Sequence, residues 1–272
     1  MKKSRFELDE IHPNARALTG IDEVGRGCLA GPVVVAAVTW KPWHSAVAPC
    51  LVKLNDSKQL SAKTREELYP KILACADRIR LAVIAPPVID RLNILRATLH
   101  GFELVAPSFQ EGIPLIIDGN QRPISLKWAM TAVKGDARSS PVAAAAIIAK
   151  VFRDALMTGL ETDFPGYGFA AHKGYATAVH REGITRHGAC RHHRKSFRPV
   201  KDLVAQEAAA DDILPARLAH ASEEEAAALW VEFCNRYQNY SHKGARLAMA
   251  AFQECGLGLL PRPGETPECA VN

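Results

Sequence analysis

The chain has 272 residues, of which 48% are hydrophobic, and this is enough for one main domain with its own core. No run approaches the roughly 18 apolar residues of a membrane span, and acidic residues follow the basic start, so we expect a cytoplasmic protein without a signal peptide or membrane span. The seven cysteines are scattered and odd in number, which favours reduced thiols over disulfides.

Charge is unevenly distributed along the chain. Residues 1–200 contain 28 Lys and Arg against 18 Asp and Glu, whereas residues 201–272 contain 6 against 11. A basic body suits a polyanionic partner, because neutralised phosphates release counterions. Ordinary solubility charge explains the same distribution equally well, so charge alone leaves nucleic-acid binding open.

Hydrophobic patterns predict strands and helices in alternation, which is typical of an α/β fold. Ser61 is expected to cap the first helix, Pro70 to kink it, and Pro86 and Pro87 to break the chain. In chain order the predicted elements are a two-stranded hairpin over Leu18–Trp40, a helix over Lys63–Ala76, a strand over Arg80–Ala85, a helix over Val88–Phe102, strands over Pro114–Asp118 and Met130–Val133, and a helix over Pro141–Met157.

The composition changes after Pro199. Residues 205–212 are only Ala, Gln, Glu and Asp, which predicts a linker or a loosely held helix. Ser222 and Glu225 form a capping box for a helix whose apolar face either packs on the body or docks a partner protein. A second helix is expected over Lys243–Glu254, and disorder over Pro261–Asn272.

Four acidic residues stand at or near predicted strand ends: Asp22, Glu23, Asp118 and Asp136. Surface acids, turn caps or local ion pairs are the alternative explanations for each. Adjacent acids in a strand point to opposite faces. Asp22 and Glu23 can therefore serve one site only if the backbone kinks at Gly25-Arg26-Gly27, or if one of them acts through its main-chain carbonyl.

Carboxylates without a Cys–His cluster favour Mg²⁺ or Mn²⁺ over Zn²⁺. Such sites commonly hold two ions about 3.5–4 Å apart, which activate a water and stabilise the leaving oxygen of a phosphodiester. His180, His187, His192 and His193 crowd a short segment, but they lack regular ligand spacing, so a histidine metal site is not favoured.

The segment Gly20-Ile21-Asp22-Glu23-Val24-Gly25-Arg26-Gly27-Cys28-Leu29-Ala30-Gly31-Pro32 resembles the signature of the type 2 ribonucleases H, and of bacterial ribonuclease HII in particular. The resemblance runs in the family's order over about 18–200. Its further blocks are Asn55-Asp56-Ser57-Lys58-Gln59-Leu60-Ser61, Asn93 to Thr98, Ile117 to Asn120, Lys134-Gly135-Asp136, Ile148 to Val151 with Arg153-Asp154, His172 to Tyr175, and His193 to Val200.

The resemblance implies a ribonuclease H-like mixed sheet flanked by helices, with a helical C-terminal region and an extra tail. It divides the chain into an N-terminal arm (1–16), a catalytic domain (17–200) and an extension of unknown role (201–272). It also implies a monomeric endonuclease that cuts the RNA strand of RNA–DNA hybrids and incises 5′ of ribonucleotides embedded in DNA, as in ribonucleotide excision repair. The products would carry 5′-phosphate and 3′-hydroxyl ends.

The resemblance also implies roles for single residues. Asp22, Glu23, Asp118 and Asp136 map onto the catalytic metal ligands, and Gly25, Arg26 and Gly27 onto the loop that reads the ribose 2′-hydroxyl. Tyr175 maps onto the tyrosine that packs on the sugar after the ribonucleotide. Two alternatives, a phosphate contact or a structural role, stand for each of five further residues: Ser57, Lys58, Lys150, Arg194 and Ser196.

Two features depart from the family pattern. Ala146 stands where a serine is usual, and residues from about 201 extend beyond the usual end of the bacterial enzymes. Both prompt an alternative hypothesis, a hybrid-binding protein with weak catalysis. The presence of all four acids argues against it.

Overall fold

A five-stranded mixed sheet organises the protein, which we describe from a computed structural model for residues 6–11, 15–40, 54, 57, 59–108, 112–204 and 222–236. The strand order is β3-β2-β1-β4-β5; β1, β2 and β3 are antiparallel neighbours, whereas β1, β4 and β5 run parallel. This arrangement confirms the predicted α/β class. The strands are β1 (Leu18–Val24), β2 (Val33–Trp40), β3 (Arg78–Ile84), β4 (Leu115–Asp118) and β5 (Met130–Ala132).

Helices flank this sheet on both faces. The described helices are α1 (Ala62–Cys75), α2 (Pro86–Leu92), α3 (Ile94–Val105), α4 (Gly135–Arg138), α5 (Ser140–Asp163), α6 (Phe169–His172), α7 (Ala178–His187) and α8 (Glu223–Arg236), with short 3-10 turns at Asp9–Ile11 and Ile124–Leu126.

The single helix expected over Val88–Phe102 is wrong, because the structure divides this segment into α2 and α3. Asn93 separates them with a left-handed φ of 69°, and its side chain accepts the Arg96 N–H at 3.1 Å to cap α3. The two prolines before it start α2 instead of only breaking the chain, since a helix's first turn needs no proline N–H. The Ser61 cap of α1 is confirmed by its 3.1 Å bond from the Thr64 N–H.

The small side chains at the start of α5 let this helix approach the centre of the sheet. A Cβ atom added to Gly20 in β1 would overlap the backbone of Val142 in α5. Residues Ala143, Ala144 and Ala145 are buried on the same face, beside Val34 and Ala36 of β2, and Ala146 is also buried. The opposite face packs against α3. Helix α5 therefore lies directly over the strand that carries Asp22.

Residues 6–11 of the predicted N-terminal arm lie against the body. Phe6 and Leu8 are buried in the core, and the Asp9 carboxylate accepts the Ser140 N–H at 3.0 Å, at the start of α5. Burial raises the pKa of Asp9 despite these bonds. This segment thus helps to hold the helix above the sheet.

Helix α8 confirms the helix predicted after the capping box. Ser222 Oγ accepts the Glu225 N–H at 3.3 Å, and Glu225 accepts the Ser222 N–H at 2.9 Å. The expectations for 205–212, 243–254 and 261–272 lie outside the described residues. The residues on the apolar face of α8 that the structure describes are buried: Ala226, Leu229, Trp230 and Phe233.

No helix within the described ranges is long and apolar enough to cross a membrane.

Candidate active site

Parallel pairing brings Asp22 and Asp118 to neighbouring positions. The β1–β4 ladder ends at the pair Ile21 and Ile117, one residue before each acid. Because strand residues alternate between faces, Asp22 shares a face with Gly20, and Asp118 shares a face with Ile116. Ile116 packs with Val142 of α5. Both carboxylates therefore lie on the side of the sheet that α5 covers.

Asp136 reaches the same region from the segment after β5. It lies in the first turn of α4, is 7% exposed, and follows Gly135, whose N–H donates to the Asp118 carboxylate at 2.7 Å. Helix α4 thus connects two of the predicted metal ligands. Asp136 does not cap the alanine-rich helix, because Ser139 occupies the N-cap position of α5.

Electrostatic interactions link the four acids. Burial raises the pKa of Asp22 well above its usual range, and the negative charges of Glu23, Asp118 and Asp136 raise it further. Like charges at close range disfavour simultaneous ionisation. A cation or a proton is therefore needed to neutralise this group.

Glu23 is placed differently from Asp22. The β1–β2 ladder stays regular through Val24, so the strand has no kink between Asp22 and Glu23. The side chain of Glu23 leaves the opposite face of the strand, and its Oε1 lies 3.3 Å from Arg26 Nη1. Of the two explanations for the adjacent acids, the regular ladder favours a contribution through the main-chain carbonyl of Glu23.

The acid group fits a hard divalent cation by its chemistry. Its side chains offer only oxygen donors, and their mutual repulsion is the condition that a cation relieves. In the described part of the chain, no three acidic, histidine or cysteine side chains converge at metal-ligand spacing. The Asp118 carboxylate accepts the Gly135 N–H next to Asp136, whereas the Glu23 side chain contacts Arg26 instead of the other acids.

The Gly25-Arg26-Gly27 loop follows β1 beside the acids. Gly25 has a φ of 92°, and an added Cβ would overlap the Arg153 guanidinium, so glycine is required there. Gly27 has no atom within 4 Å of an added Cβ. Arg26 and Gly27 are exposed while Gly25 is buried, so the loop presents its tip to solvent.

Arg194 favours the structural alternative over a phosphate contact. It is fully buried, and its guanidinium donates to the carbonyls of Gly25 and Arg26 at 2.6 and 2.7 Å. A side chain with no exposed surface cannot touch a phosphate. Arg153, which sequence reasoning quoted only as part of a motif, is a second buried arginine beside the same loop. No periodicity in the sequence indicates that either charge is buried.

Tyr175 stands at the edge of this region with 42% of its surface exposed. The Nζ atom of Lys150 lies 5.9 Å from the centre of the tyrosine ring and 2.7 Å from Asp154 Oδ1. The ring is therefore available for stacking, with a positive charge beside it. Roles for Lys150 and Tyr175 in substrate binding remain predictions.

The other predicted contacts are placed as follows. Ser196 is exposed, and its hydroxyl lies 2.6 Å from the Asp90 carboxylate, which also accepts the Ser196 N–H. Ser57 is buried at 9% exposure, and its carbonyl accepts a hydrogen bond from Arg65 at 2.8 Å. Lys58 lies outside the described residues.

Sequence reasoning also missed a buried histidine pair behind Tyr175. His180 is fully buried, and its Nδ1 lies 2.8 Å from the Tyr175 carbonyl, while its Nε2 contacts His193. The crowding of histidines was visible in the sequence. The hydrogen bond between His180 and His193 was not visible in the sequence, because the two residues come from α7 and from the loop after it.

Known proteins resemble this chain over most of its length. The family model described as Ribonuclease HII matches residues 19–200. A ribonuclease HII of Oleidesulfovibrio alaskensis is 44% identical over 231 residues, covering 76% of this chain and 87% of that protein.

Solved structures show the same fold. The ribonuclease H2 of Pyrococcus horikoshii is 23% identical, with a TM-score of 0.56, over 70% of this chain and 98% of that one. The ribonuclease HII of Archaeoglobus fulgidus, solved as a complex with PCNA, is 25% identical, with a TM-score of 0.56, over 66% and 94%. Bst-RNase HIII, solved with Mn²⁺, is 22% identical, with a TM-score of 0.54, over 75% and 74%.

Proposed function

The chain belongs to the ribonuclease HII family and is a hydrolytic endoribonuclease, and from this premise we propose that it incises DNA 5′ of embedded ribonucleotides as well as cutting the RNA strand of RNA–DNA hybrids. The incision would leave 3′-hydroxyl and 5′-phosphate ends. Such a reaction would begin the removal of ribonucleotides from duplex DNA.

The observation that carries the proposal is the grouping of Asp22, Asp118 and Asp136 on the α5 side of the sheet, next to the Gly25-Arg26-Gly27 loop. Three separate segments supply these carboxylates, and burial together with the charges of the neighbouring acids raises the pKa of Asp22. Burying several acids together is costly unless a cation is bound. Asp22, Asp118, Asp136 and the main-chain carbonyl of Glu23 would hold Mg²⁺ or Mn²⁺, two ions during catalysis.

When bound, such ions activate a water and stabilise the leaving oxygen of the phosphodiester. The protein's own residues supply the placement. Gly135 holds the Asp118 carboxylate through its N–H at 2.7 Å, and Asp22 accepts the Glu23 N–H at 2.6 Å. These bonds orient both acids from the backbone.

Recognition of the ribose would fall to the glycine loop and Tyr175. The 2′-hydroxyl is the group that distinguishes RNA from DNA, and glycines let backbone donors and acceptors approach it. The exposed tip at Arg26 and Gly27 offers that approach. The half-exposed ring of Tyr175 would pack on the following sugar, with Lys150 near the phosphate that joins the two.

The test is cleavage of a labelled DNA duplex with one ribonucleotide, in Mg²⁺, Mn²⁺ or EDTA, by the native protein and by Asp118→Asn. We expect metal-dependent incision 5′ of the ribonucleotide that the variant loses. Glu66→Gln is the matched control, because it neutralises an exposed acid on α1 away from the cluster. Tight binding of the duplex without incision in any metal would support the alternative of a hybrid-binding protein, which Ala146 prompts.

A further inference from the structure

Two buried arginines lie behind the outward-facing tip of the glycine loop. Among the hydrogen bonds of the described residues, the guanidinium groups of Arg153 and Arg194 donate only to backbone carbonyls. Arg194 binds the carbonyls of Gly25 and Arg26 in the loop, and that of Gly31 shortly before β2. Arg153 binds the carbonyls of Ala30 and Pro32, between the loop and β2, and that of Lys173, in the turn before Tyr175.

The bonds to Gly25 and Arg26 decide which way two peptide N–H groups point. Both peptide bonds are trans. In a trans peptide, the C=O of one residue and the N–H of the next point in opposite directions. Because the Gly25 and Arg26 carbonyls face the Arg194 guanidinium, the N–H groups of Arg26 and Gly27 face away from it. Arg26 and Gly27 are exposed, so these donors point towards solvent.

We propose that Arg194 is a positioning residue for ribose recognition, which orients the Gly25–Arg26 and Arg26–Gly27 peptides so that their N–H groups face the substrate. The inference rests on the proposed function, since it assigns how that loop is held. Arg194 acts through the backbone, because it has no exposed surface of its own. A lysine cannot replace it, since one compact ammonium lacks the planar fork that reaches three carbonyls.

The charge of Arg194 adds to this role. Burial lowers its pKa to about 10, so the side chain remains protonated at neutral pH. Its hydrogen-bond partners are carbonyl dipoles, which leave the net positive charge behind the loop. Aligned peptide groups in front of a cation favour an electron-rich ligand such as a hydroxyl oxygen beside a phosphate.

The experiment measures dissociation constants for two duplexes that differ by a single ribonucleotide, in an Asp118→Asn background that prevents cleavage. The parent is expected to bind the ribonucleotide duplex more tightly than the all-DNA duplex. Adding Arg194→Lys should reduce that preference about tenfold, equivalent to about 1.4 kcal/mol, while affinity for the all-DNA duplex stays within about twofold. An equal loss for both duplexes would overturn the proposal, because it indicates a phosphate contact or general damage.

Arg80→Lys is the matched control, since the Arg80 guanidinium on β3 also donates to a backbone carbonyl, that of Ala106, but not to the glycine loop. It should lower thermal stability while keeping the preference for the ribonucleotide. An equal loss of preference in both variants would overturn the assignment to Arg194. If the parent binds both duplexes equally while the wild type fails to incise, the proposed function itself is wrong.

If Arg194→Lys does not fold, amide hydrogen exchange of the wild-type protein, measured in Ca²⁺ with each duplex bound, still tests the proposal. The Arg26 and Gly27 amides should be protected by the ribonucleotide duplex and not by the all-DNA duplex. Equal protection by both duplexes, or by neither, would overturn the proposal.

Discussion

The Nε2 atoms of His180 and His193 lie 3.1 Å apart, at the middle of a buried chain of hydrogen bonds. His193 accepts the Cys190 N–H at Nδ1, so its own proton is on Nε2 and is donated to His180. His180 therefore accepts at Nε2 and donates from Nδ1 to the Tyr175 carbonyl, at 2.8 Å. Both rings are neutral in this arrangement, which anchors the backbone of Tyr175 to the core.

Acidification is expected to destabilise the protein through this pair. Burial lowers the pKa of His180 to about 4 and that of His193 to about 3. An unfolded histidine has a pKa of about 6.5, so below that pH the unfolded state binds protons that the folded state does not. The free energy of unfolding should fall as the pH drops from about 6.5 towards 4, by up to about 1.4 kcal/mol per pH unit for each histidine. Urea unfolding at a series of pH values measures this slope.

His193→Ala tests the source of that slope. It should lower stability at pH 7.5 by about 2 kcal/mol, because a buried hydrogen bond and packing are lost, and it should flatten the slope between pH 6.5 and 4.5. His100→Ala, at an exposed position on α3, should change neither. A slope in His193→Ala as steep as in the wild type would contradict the prediction.

Asp22→Asn should abolish cleavage and stabilise the protein. Burial, and then the charges of three neighbouring acids, raise the pKa of Asp22, so removing its charge relieves a desolvation cost and repulsion in the folded state. The asparagine oxygen can still accept the Glu23 N–H. We expect a gain on the order of 1 kcal/mol in EDTA, measured by urea unfolding. The wild type should gain stability from added Mg²⁺ and the variant should gain less; an equal gain would place the cation elsewhere.

Gly25→Ala and Gly27→Ala should separate folding from recognition. The alanine at Gly25 combines a φ of 92° with overlap on buried Arg153, so we expect a loss of about 2–4 kcal/mol in stability. The alanine at Gly27 meets no atom within 4 Å, so stability should change by less than about 0.5 kcal/mol. Its methyl group would nevertheless stand at the loop tip. Gly27→Ala should therefore leave thermal unfolding nearly unchanged while lowering kcat/KM on the single-ribonucleotide duplex. Unchanged kinetics in this variant would argue against substrate contact.

Truncation after Val204 should destabilise the protein. The apolar face of α8 is buried within the chain, with Trp230 and Phe233 at 1% and 0% exposure, and this supports packing over docking of a partner. Loss of stability or solubility in the truncated chain would support packing of α8. The control is Val231→Ala, at a more exposed position of α8, which should lose less stability. Unchanged stability and activity would instead support a dispensable or partner-binding tail.

Much of the fold follows from local sequence. Alternating and helical hydrophobic patterns correctly predicted β1, β2, β4, β5 and α5, because side-chain periodicity depends on the backbone conformation of each segment. The break at Asn93 was missed, since a single residue with left-handed φ leaves the surrounding helical pattern intact. The family motif identified the acids and the loop by residue type and order.

The sequence by itself determined the order of the elements, the family, and the acidic residues that we propose as metal ligands. Only the tertiary structure decided that Asp22 and Asp118 share a face while Glu23 leaves the other, because this depends on strand pairing and register. It also decided that Arg194 holds Gly25, 169 positions away, instead of facing solvent. The physical reason is that burial and partners arise when distant segments pack, and local patterns carry no record of which segments meet.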